Sequence, residues 1–110
     1  MPGIPTMVST TDEVVVRALD FAMGEVYPKL GVTTAVVRAT RMVQHGQQGF
    51  GGKHDIITEA TFPDGGCKVL RVGVMVDAAT GTPKAQLAAA DLRLANHDVL
   101  DNACGKFKSI

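Results

Sequence analysis

The chain has no tryptophan, one tyrosine and four phenylalanines in 110 residues, only two cysteines, and no surplus of either charge. Eleven Lys+Arg balance eleven Asp+Glu, for a formal net charge of zero and an isoelectric point near 6.8. No basic field is therefore present to draw nucleic acid or an anionic lipid surface. No apolar run approaches the roughly 18 residues that a membrane span needs. The opening Met-Pro-Gly-Ile-Pro-Thr lacks the charged and apolar regions of a signal peptide, so the chain reads as soluble and, if secreted, as a mature form. Two cysteines are too few for a disulfide-dense scaffold, and without CxxC spacing they argue against a cysteine metal site. In an oxidising compartment Cys67 and Cys104 would close a loop of about 37 residues, worth roughly 3–4 kcal/mol in the chain-entropy model. In a reducing one they are two ordinary thiols, and the sequence leaves both readings open.

What is present is 45% apolar residues, enough for one modest core, so residues 1–110 read as one domain. Residues 12–27 predict a helix. Thr10 and Glu13 fit a capping box, Asp12 and Glu13 place negative charge at the positive end of the dipole, and Val15, Ala18, Leu19, Ala22 and Val26 recur on one face. Pro28 stops the helix and Gly31 marks the turn. Gly24, inside it at a cost of about 1 kcal/mol relative to Ala, predicts a close packing partner.

From Val32 the composition turns β-branched, which predicts a strand to Val43 with Ala35, Val37, Ala39 and Val43 facing a core and Thr34, Arg38 and Thr40 facing water. Residues 44–53 carry four glycines and read as a loop or bulged hairpin. Residues 56–62 and 67–76 read as two further strands joined by the turn Pro63-Asp64-Gly65-Gly66, with Leu70, Val72, Val74 and Val76 on one face. A helix followed by an antiparallel meander is an α+β layout. Residues 84–94 are rich in alanine and leucine and favour a second helix over an edge strand, while residues 96–110 show no clear period.

Three histidines, His45, His54 and His97, have no metal-ligand spacing and read as surface residues. His54 and Asp55 are adjacent on a strand and point to opposite faces, which rules out a direct catalytic pair. The glycines of residues 46–52 lack the Gly-Lys-Ser/Thr ending of a phosphate loop. No cofactor and no metal is implied. The N-terminal Pro2-Gly3-Ile4-Pro5-Thr6-Met7 reads either as a disordered tail or as an extended strip, stiffened by its two prolines, that lies in a partner's groove.

The helix Arg17-Ala-Leu-Asp-Phe-Ala-Met-Gly-Glu25, with Tyr27 just after it, resembles that of the secreted type 2 cystatins, inhibitors of papain-like cysteine proteases. Gly3 stands fourteen residues before Arg17, where that family keeps an N-terminal glycine, and Val36-Val37-Arg38-Ala39 resembles the strand that leads into its first inhibitory hairpin. The resemblance is carried by residues 3–46 and implies a cystatin-like α+β fold, one long N-terminal helix packed on an antiparallel sheet. It implies no catalytic group. A wedge of N-terminal trunk and two hairpin loops would enter the cleft of a cathepsin-type protease as a reversible, non-covalent inhibitor. The implied contact residues are Gly3 and Ile4 of the trunk and Met42, Val43, Gln44, His45 and Gly46 of the first loop. The first-loop motif Gln-x-Val-x-Gly is met only at Gly46, with Met42 in place of the glutamine. The second loop, placed at residues 77–83, has no tryptophan, so the expected inhibitor is a weakened one. The resemblance also implies an extracellular protein, monomeric or domain-swapped, with a cytoplasmic site left open.

Two other functions fit the sequence. The fold could serve as a scaffold for another binding task. A tautomerase-type enzyme could use Pro2 as an N-terminal base once Met1 is removed, since Gly49-Phe50-Gly51-Gly52 resembles a glycine segment of that family, although Pro5 interrupts the strand it would need.

Overall fold

A computed structural model describes residues 6–7, 13–43, 52–78 and 86–105. Its elements follow in the order β1 (Thr6–Met7), helix α1 (Glu13–Phe21), β2 (Thr34–Val43), β3 (Gly52–Thr61), β4 (Cys67–Val76) and β5 (Leu92–Asp101). The strands form one sheet in the order β1-β2-β3-β4-β5, every neighbouring pair antiparallel. One helix packed on this sheet makes the fold α+β. No helix among the described residues is long and apolar enough to cross a membrane.

The helix begins within one residue of expectation, and the Thr10 cap lies outside the described residues. After Phe21 it continues as a π-helical turn over Ala22–Val26, closed by the Tyr27 N–H on the Ala22 carbonyl at 2.9 Å. Pro28 then ends it, and the Val32 N–H returns to the Tyr27 carbonyl at 3.0 Å across Gly31, whose φ of 82° suits glycine. Val14, Ala18, Ala22, Val26 and Tyr27 pack on Ile56, Ala60, Leu70, Val72, Val74 and Val76, with Leu87 and Leu92 closing the side of the core. Gly24 lies on the exposed face with nothing within 4 Å of where a Cβ would sit, so the close partner that its presence predicts is absent among the described residues.

Tyr27 carries the one polar group that the helix sends into this core. Its hydroxyl shares a hydrogen bond with Thr58 Oγ1, which satisfies two groups that burial would otherwise leave unpaired. Burial pushes the phenol above its ordinary range, and the Thr58 bond opposes that in part.

β4 occupies residues 67–76 as its composition predicts, and the Pro63 to Gly66 turn has the expected chemistry. The Asp64 carboxylate accepts the Gly66 N–H at 2.8 Å, the Gly65 N–H reaches the Phe62 carbonyl at 2.9 Å, and Gly65 has φ of 86°. β3 starts four residues earlier than its apolar run, at Gly52, because Lys53, His54 and Asp55 pair with β4 as fully as the residues after them.

Three further expectations are corrected. In β2 the register steps from Val37 opposite Thr58 to Ala39 opposite Ile57, a bulge at Arg38. The step reverses the alternation beyond it: Ala35 and Val37 do face the core, but Ala39 turns to the other face and Thr40 is buried at 2% exposure. His54 is 4% exposed, on the helix-facing side of β3 between its register partners Met42 and Val74, so the surface reading of that residue fails. Residues 86–94 form no second helix. A short 3-10 turn at Ala89–Asp91 leads into β5, where tertiary pairing with β4 overrides alanine propensity.

Cys67 and Cys104 form a disulfide with a Cα–Cα separation of 5.5 Å. It ties the start of β4 to the segment that follows β5.

Candidate functional site

Strand register fixes which loops share an end of the molecule. Thr6 pairs with Met42, Val43 with Lys53, Gly52 with Val76, and Val76 with Leu92. The start of β1, the end of β2, the start of β3, the end of β4 and the start of β5 therefore lie together. Three chain segments leave the sheet from this one end: residues 1–5, residues 44–51 and residues 77–91. The disulfide and the Pro63 to Gly66 turn lie at the opposite end, beside Thr61 and Cys67.

The base of this end is held firmly. Gly52 opens β3 with φ of 136°, a conformation that favours glycine, and it is buried against its partner strands. On the face of the sheet away from the helix, Asp55 sits 3.5 Å from Lys53 Nζ and 3.9 Å from Arg41 Nη2, so one buried carboxylate holds the two strands that flank residues 44–51. Lys53 Nζ also donates to Asn96 Oδ1 at 3.4 Å across Gly73, whose missing side chain leaves the passage open. On the helix side, His54 and Thr40 are buried beneath the same strands.

The connection from β4 to β5 is anchored at its two feet. The Asp77 N–H donates to the Asp91 carbonyl at 2.7 Å, the Asp91 carboxylate accepts the Ala88 N–H at 2.7 Å, and Arg93 forms an ion pair with the Asp77 carboxylate. Leu87, 1% exposed, drives this connection into the core.

Of the residues expected to make contacts, Met42 and Val43 are the last two of β2, and the backbone of Met42 lies between Thr6 of β1 and His54 of β3. Gly3, Ile4, Gln44, His45 and Gly46 lie outside the described residues, as do Pro2, Gly49 and Phe50. The register brings the flanks of trunk and first loop side by side, a juxtaposition that follows from β1 pairing with the far end of β2. Sequence reading missed the anchoring set Arg41, Lys53, Asp55 and Asn96. Their only signal is charge complementarity at matched positions of neighbouring strands, which becomes visible once the register is known.

This end of the sheet brings together no group of three metal-ligating side chains among the described residues. Among the described residues, this end is a set of paired strand termini held by the Asp55 ion pairs and the Asp77–Asp91 backbone bond. The chain matches no protein-family model, no curated protein and no solved structure.

Proposed function

We propose that this protein is a cystatin-like, reversible and non-covalent inhibitor of papain-like cysteine proteases. One observation carries the reading: the strand register sends residues 1–5, 44–51 and 77–91 off the same end of a helix-backed sheet. That placement is what a three-part wedge requires, and it agrees with the helix residues 17–25 and with the position of Gly3. A wedge held on paired strands loses little freedom when it fills a cleft, so a few apolar anchors suffice for affinity. Ile4, Met42 and Val43 are the proposed anchors, with Gly3 and Gly46 allowing close approach of backbone and Gln44 and His45 completing the first loop. The inhibitor covers the protease nucleophile and supplies no catalytic group of its own. The disulfide supports an oxidising, extracellular setting.

The lack of tryptophan favours a second reading, in which the same edge serves another binding partner. Titration into papain and a cathepsin with a fluorogenic substrate separates the two. Inhibition that weakens at least tenfold when residues 1–5 are removed supports the wedge. No loss of protease activity at about 10 μM, where an interaction of about −7 kcal/mol would register, refutes it.

A further inference from the structure

The end of the molecule opposite the loops holds a cluster that the inhibitor reading does not use. Glu59 of β3 is 7% exposed, and its carboxylate accepts two charge-assisted hydrogen bonds, from Arg38 Nε at 2.5 Å and from the Gly105 N–H at 2.5 Å. The Gly105 bond first, and the Arg38 bond second, hold this carboxyl below its usual range against the opposing effect of burial. A carboxylate oxygen of Glu59 and the sulfurs of Cys67 and Cys104 all lie within 4.8 Å of one another. Thr61 donates its hydroxyl to Cys67 Sγ at 3.9 Å.

Noncovalent structure keeps this grouping together without the S–S bond. Val69 pairs with Asp101, the Asp101 carboxylate accepts the Ala103 N–H at 3.0 Å, and Gly105 is fastened to Glu59. Rotation about the two Cα–Cβ bonds parts the sulfurs while the backbones stay in place. Zinc-class ions take thiolates at about 2.3 Å and carboxylate oxygens at about 2.0–2.2 Å, which in a tetrahedral site puts two sulfurs and one oxygen roughly 3.5–3.8 Å apart. The charges also match: two thiolates and a carboxylate carry three negative charges, a divalent cation supplies two positive ones and Arg38 the third. A hydroxyl on one sulfur and a guanidinium on the carboxylate are the outer contacts that orient and tune such ligands.

We propose that reduction of the Cys67–Cys104 disulfide creates a site for a thiophilic divalent cation of the zinc class, ligated by Cys67 Sγ, Cys104 Sγ and a Glu59 oxygen, with a fourth position open to water. A dithiol reductant supplies two electrons and two protons and becomes a disulfide itself, and the two cysteines become thiols. The cation then displaces one proton from each thiol to solvent. The spacing of the cysteines argues against a metal site because it compares positions along the chain, whereas these three ligands come from the ends of three elements that only the sheet brings together.

The test uses the full chain, reduced with a phosphine under anaerobic conditions, and Co²⁺ as the spectroscopic probe. The expected result is one Co²⁺ per chain with intense thiolate-to-cobalt absorption, and none for the oxidised protein. Glu59→Gln weakens that binding at least tenfold while leaving two titratable thiols and a native far-UV circular dichroism spectrum, and Cys104→Ser abolishes the absorption. A reduced chain that unfolds, a folded reduced chain with no such band, or a Glu59→Gln chain that binds as tightly as the parent would each overturn the proposal. The protease titration above is made on the oxidised chain, so the two proposals fail separately.

Discussion

Replacing both cysteines, Cys67→Ser with Cys104→Ser, is expected to destabilise the protein by close to 4 kcal/mol. The bridge joins residues 37 apart, and the chain-entropy relation for a loop of that length gives about 3.8 kcal/mol at 25 °C. The effect lies in the unfolded chain, which loses a closed loop holding all of β4, the following connection and all of β5. For 110 residues the unfolding entropy is about 0.23 kcal/mol per degree, so the melting temperature should fall by roughly 16 °C. Urea unfolding followed by circular dichroism measures the free energy directly. Its denaturant slope should rise in the variant, because the uncrosslinked chain exposes more surface. The native β4–β5 pairing should survive, as seen in amide exchange. A loss below about 1 kcal/mol with unchanged slope would refute the entropic account and show that the two ends of the loop are held together in the unfolded chain by something else.

Gly24→Ala should stabilise the protein by about 0.5–1 kcal/mol, read as a rise in melting temperature of a few degrees, because the new methyl meets no neighbour and the unfolded chain loses freedom. Tyr27 is the only tyrosine, so absorbance of the phenolate follows it alone. Because burial raises its folded pKa, the proton is lost more readily by the unfolded chain; stability is intact below about pH 10 and falls as pH rises past it. Phenolate should therefore appear later than in a free tyrosine and together with loss of circular dichroism, and an ordinary titration in a folded protein would contradict the burial. Tyr27→Phe leaves the Thr58 hydroxyl without its partner and should cost about 1–3 kcal/mol, whereas adding Thr58→Val should recover part of it in a double-mutant cycle. Arg71 and Asp98 form a two-pronged pair at 2.9 and 2.8 Å between β4 and β5, partly exposed, so a double-mutant cycle should give about 0.5–1 kcal/mol that declines with salt.

The parts of the fold that composition reveals are those where local preference and tertiary placement agree. Helix α1 has an apolar face of the right period, and the 63–66 turn has a glycine where φ must be positive. β4 alternates cleanly because it is a central strand with one face on the core. β5 was hidden for a definite reason. Its register skips at Ala95 and again at Leu100, so the two-residue period restarts twice within ten residues, and the alanines ahead of it favour helix. The same cause misplaces Thr40 after the Arg38 bulge. Of the candidate site, the resemblance supplies the identities of the expected contact residues, but the gathering of the start of β1, the end of β2, the start of β3, the end of β4 and the start of β5 at one end depends on antiparallel register across four strand pairs. The bond between Cys67 and Cys104 depends on it too, since the two cysteines meet only when β5 returns along β4.

The bulges of β5 bear on a property unrelated to protease binding. β5 is a sheet edge, and Leu94, Val99 and Leu100 on it are exposed. A straight edge with those side chains would be a template on which further copies could add, strand upon strand, into a fibril. The two skips cut it into runs of three and four regularly paired residues, Leu92 to Leu94 and Asn96 to Val99. An incoming strand must therefore break step after at most four residues, too short a stretch to nucleate growth. The irregularity that hides this strand from the eye also protects it from aggregation.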